Sequence, residues 1–466
     1  MSIWERFKRR YIGDKTFYRL VLTIVVPIIV QNSISNFVNL LDNIMVGQVG
    51  TDQMSGVAIA NQLIFVFNLC VFGALSGADI YGAQFFGAKD LEGVRHTFRF
   101  KLICMLLLLA GSFFVLLTYG ENLLKLYLTG DSGAGDAELT LRCGLEYLRI
   151  ILISIPAFGM TQIYAGTLRV CGETLLPMKA GLFAVLTNFV LNYLLIFGVG
   201  GVIPAMGTAG AAIATVTSRY VELGYILLKT KRQRKRYAFL DGVYKTLRIP
   251  KALAASILKR GMPLFINEGM WSAGMAALTQ QYSLRGLTVV AALNISSTIA
   301  NLFNTVFLAM GNAIAVLAGQ ALGARDNERA KSTVSKVMAT SVSSCFVMGG
   351  LLILFAPLVP RLYNTEQSVR DLATMFMITA ACCMPINAYA HCCYFTLRSG
   401  GRTIITFLFD SFFTWVVCVS SAYALANYTS LPITTIYPIV TSLELIKCIA
   451  GGILVHKGVW INNIVD

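Results

Sequence analysis

Charged residues are scarce in this chain: Asp, Glu, Lys and Arg make up 13% of its 466 residues, against 56% hydrophobic ones. A soluble domain carries about 25% charged residues, so the shortage excludes a water-dissolved fold and points to a membrane-spanning one. Histidine is limited to three positions. His96 and His456 fall in basic loops and only His391 lies in an apolar run, so there is no histidine ladder to hold a metal. A lone helical His reads first as a hydrogen-bonded packing residue. A Walker loop is missing, so ATP does not drive the chain directly, and no catalytic motif marks it as an enzyme. The eleven cysteines sit almost entirely in apolar runs. Their adjacent pairs, Cys382-Cys383 and Cys392-Cys393, lack metal-ligand spacing and read as small packing residues.

What the chain has is apolar length. A ~30 Å hydrocarbon core takes about 20 helical residues. Twelve runs reach that length, near 20–46, 56–84, 98–119, 141–168, 174–197, 207–228, 253–283, 287–321, 333–356, 369–396, 403–426 and 431–455. Backbone groups in lipid must be satisfied within the segment, which makes these runs helices; strands would be shorter and alternating.

The runs come in two copies. Gly82-Ala-Gln84-Phe-Phe-Gly87-Ala-Lys89-Asp90 returns as Ala318-Gly-Gln320-Ala-Leu-Gly323-Ala-Arg325-Asp326, each followed by an acid and a base, Glu92 with Arg95 and Glu328 with Lys331. Pro27 with Gln31 matches Pro263 with Asn267. The stretch from Pro156 to Thr167-Leu-Arg169-x-x-Gly172-x-Thr174 matches that from Pro385 to Thr396-Leu-Arg398-x-x-Gly401-x-Thr403. Landmarks repeated in one order indicate duplication. An even number of spans per copy gives both copies the same orientation, as parallel repeats about an axis along the membrane normal. The expected architecture is an all-α membrane protein with twelve transmembrane helices in two six-helix lobes, residues 1–228 and 253–466. A basic cytoplasmic linker, 229–252, joins them and reads as a solvated connector. Substrate sites in such proteins lie between the repeats near mid-membrane and the halves rock about them, so a two-lobe transporter follows. Pro27, Pro156, Pro263 and Pro385 fall inside spans and permit bends.

The net charge of +15 does not indicate nucleic acid, because Lys and Arg are confined to alternating short loops rather than one face. That alternation places those loops and both termini in the cytoplasm, against anionic lipid. Ile3, Trp4, Phe7 and Tyr11 among basic residues read as an interfacial helix. The expected location is the inner (plasma) membrane, and a monomer is the expected assembly.

Charges within spans are costly, and each is a site candidate. Glu146 with Arg149, Arg219 with Glu222 and Glu444 with Lys447 are spaced i,i+3 and read as local pairs. Asp42 has only Asn39 as a polar neighbour one turn away. A lone carboxylate there binds a cation or takes up a proton, unless it reaches water, standing roughly 33 Å up its helix. Glu268 lies roughly 22 Å into its helix, with Asn267 beside it and Trp271 one turn on; a carboxylate and an indole so placed suit a cation. Asp79 follows the small-residue run Gly73-Ala-Leu-Ser-Gly77-Ala78, where helices approach closely. It either lines the cavity or makes a helix contact. Asp410, next to Ser411, reads as partly hydrated. Asn188 and Asn192, one turn apart, read by themselves as interhelical hydrogen-bonding glue.

Several motifs, taken in order, resemble the multidrug and toxic compound extrusion (MATE) transporters over essentially the whole chain. They are Pro27 with Gln31-Asn32, Asp42 before Val46-Gly47, both Gly-Ala-Lys/Arg-Asp loops, Leu168-Arg169-x-x-Gly172-x-Thr174-x-x-Pro177, Gly207-x-x-Gly210-Ala-Ala, Asn267-Glu268-x-x-Trp271 and Lys457-Gly-Val-Trp460. The resemblance implies outward- and inward-facing states, export of organic cations or other amphiphiles, and antiport against sodium or protons. It implies no other cofactor and no metal beyond a sodium ion. It matches Asp42 to the family's helix 1 acid, Asn188 and Asn192 to its helix 5 polar pair and, more weakly, Thr215 to the same site. Asn192 stands where many relatives have Asp, which removes a charge. Glu268 resembles the helix 7 coupling acid, without the helix 10 acid that accompanies it in some relatives. Asp79 stands where small residues are customary.

The expected function is secondary active export of drugs or organic cations, with Glu268 and Asp42 exchanging ion for substrate. The alternative is a flippase for a lipid-linked envelope precursor. A flippase needs a basic cavity for a pyrophosphate, whereas the unpaired buried charges here read as acidic, Arg149 excepted if it faces the cavity.

Overall fold

A computed structural model describes residues 5, 10–128, 136–199, 204–362 and 365–465; Ile3, Trp4 and Phe7 of the expected interfacial helix lie outside them. All twelve apolar runs are helices: α1 Lys15–Gly47, α2 Thr51–Gly87, α3 Leu91–Leu128, α4 in two segments (Ala137–Ile151 and Ser154–Val170), α5 Leu175–Phe197 and α6 Gly207–Arg232 in the first half. The second half holds α7 Lys251–Ser283, α8 Leu287–Gly323, α9 Asn327–Phe355, α10 Gln367–Ser399, α11 Thr403–Tyr428 and α12 Ile433–His456. Most outrun their apolar stretch because polar end turns continue the helix beyond the hydrocarbon. Among the described residues nine are long and apolar enough to cross a membrane unaided, or ten with bent α4. The other two, α6 and α7, are long enough but more polar.

The bend in α4, 49° between its segments, has a local cause. Pro156 is the third residue of the second segment. It supplies no backbone N–H, and its ring crowds the carbonyl four residues back, at Leu152, where the helix breaks. In α11 the bend is replaced by widening: Leu408–Phe412 and Thr414–Val419 wind as π-type turns, which are frequent at functional sites.

The repeated Gly-Ala-Lys/Arg-Asp loops end one helix and start the next. Lys89 and Arg325 take left-handed backbone angles, φ 61° and 59°. They close the helix as the 6→1 bonds Asp90 N–H to Phe85 O, 2.9 Å, and Asp326 N–H to Ala321 O, 3.0 Å. Asp90 then caps α3 by accepting from Gly93 N–H at 2.9 Å, and Asp326 caps α9 by accepting from Arg329 N–H at 2.9 Å.

These loops flank the place where the lobes meet. Here α2 crosses α8 so closely that a Cβ on Gly87 would fall on the Gln320 carbonyl, and one on Gly323 on the Gln84 carbonyl. The two glutamines reach into the opposite lobe at equivalent positions. Gln84 Nε2 donates to Ser399 O at 3.1 Å, and Gln320 Nε2 donates to Val170 O at 2.7 Å. Gln84 also binds the final segment, donating to Asn462 O at 3.1 Å and accepting from Ile464 N–H at 2.9 Å. Arg260 adds bonds to Tyr81 Oη, 3.1 Å, and Gly401 O, 2.9 Å. The amino half of α1 contributes Val21, Ile24, Val25 and Ile28 to the core cluster built on α8–α10. Gly87→Leu is expected to force this crossing apart and to speed amide exchange around residues 84–90 and 396–401 by at least about tenfold in hydrogen-exchange mass spectrometry. Unchanged exchange there would refute the crossing as a latch.

The linker departs from the expected solvated connector. Tyr237, Phe239 and Val243 are buried in the amino-lobe core, because backbone carbonyls of the linker satisfy arginines of α3. Arg95 donates to Ala238 O at 3.1 Å and Arg99 to Val243 O at 3.1 Å. Tyr244 hydrogen-bonds Tyr164 at 2.9 Å, and burial pushes its phenol up from the ordinary value.

Candidate functional site

Four of the sequence candidates come together in the amino lobe. Helix α5 carries Asn188 and Asn192 one turn apart on one buried face. Asn192 Nδ2 donates to the Asp42 carboxylate of α1 and to Asn188 Oδ1 at 3.2 Å. Asn188 Nδ2 passes the chain on to Thr215 Oγ1 of α6 at 3.3 Å. The carboxylate that has no charged partner on its own helix is thus held by an amide from another. Asn192 Oδ1 is left buried with no hydrogen-bond partner, an orphaned acceptor that costs stability unless a cation or donor meets it. Asp42 and Thr215 line a cavity of about 460 Å³ together with Asn61, Tyr147 and Arg219. Tyr147 donates to Asn61 Oδ1 at 3.2 Å. Arg219 pairs with Glu222 at 3.2 Å, as the spacing predicts, and lies 5.2 Å from the Phe158 ring centre. A carboxylate with amide and hydroxyl oxygens around it is a donor set for a hard cation such as sodium.

In the carboxy lobe the candidates divide. Asn267 is buried and turned to α11: its Nδ2 donates to Asp410 Oδ2 at 3.1 Å and its Oδ1 accepts from Ser411 Oγ at 2.7 Å. Asp410, which its sequence neighbours suggested to be partly hydrated, is 16% exposed and ion-paired to Lys447 of α12 at 2.9 Å. Lys447 in turn stands 3.5 Å from Glu444, so Glu444 and Lys447 are not a self-contained pair. Glu268 faces the amino lobe, its Cγ 3.4 Å from where a Cβ on Gly73 of α2 would stand. Trp271, 38% exposed, lines neither cavity described here. His391 is packed among Phe307, Tyr394 and Phe395, with ring centres 5.1–5.9 Å away, as expected of a packing residue. Among the ion pairs of the described residues, none joins Glu146 to Arg149.

Asp79 fulfils both readings left open for it. It is ion-paired to Lys101 of α3, whose side chain is 0% exposed and also donates to Thr167 Oγ1 of α4 at 3.1 Å. It also lines a second cavity, about 280 Å³, between the lobes. Arg169 and Arg398, equivalent residues of the two repeats, line that cavity from α4 and α10. Lys101, Asn61 and Tyr147 were not singled out from the sequence. Lys101 alone carried a signal, a cation four residues into an apolar run.

The MatE family model matches residues 27–194 and 264–424. The probable multidrug resistance protein YoeA of Bacillus subtilis is 25% identical over 431 residues, 90% of this chain and 89% of that protein. The probable multidrug resistance protein NorM of Thermotoga maritima is 22% identical over 421 residues, 88% of this chain and 86% of that one. A solved outward-facing multidrug resistance MATE transporter of the MOP superfamily superposes with a TM-score of 0.83 at 20% identity, covering 97% of each chain.

Proposed function

Because the chain belongs to the MatE family of membrane transporters, we propose that it exports cationic amphiphiles from the cell by antiport against sodium or protons. The observation that carries this proposal is the Asp42–Asn192–Asn188–Thr215 chain with its unpartnered Asn192 Oδ1, which offers an ion a carboxylate and neutral oxygens beside a cavity. Ion and substrate drive each other only if they favour different states. An ion at Asp42 lowers the attraction of that carboxylate for a cationic substrate, which meets this condition. The protein sits as a monomer in the inner membrane with both termini in the cytoplasm, so the latched end of α2 and α8 is the cytoplasmic one and the state described is outward-facing. Glu268, facing α2 across the lobe boundary, is the second coupling acid.

The test is ethidium efflux from vesicles holding the purified protein, with sodium and pH gradients imposed separately. One gradient drives efflux, and Glu268→Gln slows it several-fold, about the loss of one charged contact. No efflux under either gradient overturns the proposal. A flippase for a lipid-linked envelope precursor is a second reading, favoured by one observation: Arg169 and Arg398 line the inter-lobe cavity, where a pyrophosphate needs cations. It requires that deletion weaken the cell envelope rather than sensitise cells to cationic dyes.

A further inference from the structure

The inter-lobe cavity has the opposite polarity from the Asp42 site. Its charged lining consists of Asp79, Arg169 and Arg398, and Asp79 is already neutralised by Lys101. Two guanidinium groups remain; the Glu268 carboxylate, near Gly73 of α2, is the acid whose charge acts on Arg398, and Asp79 and Glu222 are those that act on Arg169. Arg398 is 6% exposed, and its Nη1 is buried with no hydrogen-bond partner. Its guanidinium is held 5.4 Å from the ring centres of Phe72, from the other lobe, and Phe395. Arg169 spends its Nε on Ala165 O at 3.2 Å.

A buried cationic donor left unsatisfied is costly; Tyr394 hydrogen-bonds the Arg398 guanidinium and two rings lie within cation–π range of it, but Nη1 stays unmet. Planar guanidinium forks match carboxylate, phosphate and sulfonate oxygens. Phe72, Phe158 and Phe395 supply apolar walls, and Phe158 and Asn68 line both cavities, so the two spaces adjoin. We propose that the inter-lobe cavity binds the anionic head of an amphiphile, with Arg398 and Arg169 as its receptors. The substrate class then widens from cationic amphiphiles to zwitterionic ones, whose acidic group sits here while the cationic end extends to Asp42. The inference rests on the transporter reading for its role in export, but the binding itself does not depend on a gradient.

The cavity's position beside the Gln84 and Gln320 latches gives this head group a second effect. Val170 and Ser399, whose carbonyls receive the latch bonds, belong to its wall, so an anion there ties α4 and α10 together at the closed end of the cleft.

The full-length protein in neutral phosphatidylcholine nanodiscs is titrated with two fluorescent probes of one skeleton, 1-anilinonaphthalene-8-sulfonate and uncharged N-phenyl-1-naphthylamine, with empty nanodiscs subtracted. The sulfonate is expected to bind at least about tenfold tighter, the scale of hydrogen bonds to a charged group. Arg398→Met is expected to remove that preference while leaving the neutral probe unaffected, and Arg398→Lys to keep part of it. If Arg398→Met loses both probes through misfolding, Arg169→Met decides by the same criterion. Repeating the titration with phosphatidylglycerol in the disc separates the sources of the anion: competition identifies a lipid head group, and no competition a soluble amphiphile, both supporting an acidic head. Equal affinity for the two probes in the wild type, or a preference kept in both methionine variants, overturns the proposal. Loss of gradient-driven ethidium efflux would overturn the transport reading and leave this result standing.

Discussion

Asp42→Asn is expected to reduce gradient-driven ethidium efflux by about a hundredfold while leaving the protein folded. The asparagine keeps the size of the side chain and still bonds Asn192, whose amide donates to Asp42 in the native protein. What disappears is the charge. Contacts to an ionised group are worth about 1.5–3 kcal/mol each, and the Coulomb attraction of a bound cation adds to that at short range. Among the residues lining the amino-lobe cavity, Asp42 is the sole acid, because the neighbouring Asn192 carries an amide. An ion site with one carboxylate has no reserve when that carboxylate is neutralised. The check is the initial efflux rate in vesicles with matched protein content, and a rate within about twofold of wild type would remove Asp42 from the coupling scheme.

The second large effect is on stability, at Asp79 and Lys101. Lys101 is fully buried whereas Asp79 is 29% exposed at the cavity wall, so the two single variants are not equivalent. Asp79→Asn leaves the buried Lys101 cation with neutral acceptors alone, the new amide oxygen and Thr167, and no counter-charge, at a cost of about 3–5 kcal/mol. Lys101→Met leaves an acid that can turn to the cavity, at a smaller cost. The double variant Asp79→Leu/Lys101→Met removes both charges and is expected to melt near the wild type, since apolar replacement of a whole buried pair is often neutral. Cys345, Cys392 and Cys393 are buried, so a fluorogenic thiol reagent reports the melt as they become reactive, above the native signal of exposed Cys382. A double variant as unstable as Asp79→Asn would contradict this account.

The helices and the duplication were legible in sequence because both are local patterns. Length and hydrophobicity locate a span, and echoes such as Gly-Ala-Lys89-Asp90 and Gly-Ala-Arg325-Asp326 report a loop that needs a left-handed residue followed by a cap. The Asp42, Asn188, Asn192 and Thr215 grouping came from the family resemblance rather than from spacing, since three helices contribute to it. Partner identity is where sequence spacing failed. Same-helix i,i+3 logic found Arg219 with Glu222 but assigned Lys447 to Glu444, when the closer partner, Asp410, lies 37 residues earlier on another helix. The same logic offered no partner for Asp79 and passed over Lys101. A buried ion pair between helices leaves no periodic trace, because tertiary packing alone decides which side chains meet. The bend in α4 was visible as Pro156, but not the π-type turns of α11, which no residue type specifies.

The reciprocal glycine contacts at the α2–α8 crossing, Gly87 on the Gln320 carbonyl and Gly323 on the Gln84 carbonyl, have the form of an isologous subunit interface, residue i on j and j on i. A duplicated chain keeps such a two-fold seam only while both halves change together there, since any added side chain in one copy collides with the backbone of the other. Away from the seam that coupling is absent. One half has acquired Asp79 with Lys101 and the other Asp410 with Lys447, at positions that do not correspond. Cargo and ion preference can therefore diversify in either half separately, while the seam, which must fit both halves at once, stays fixed.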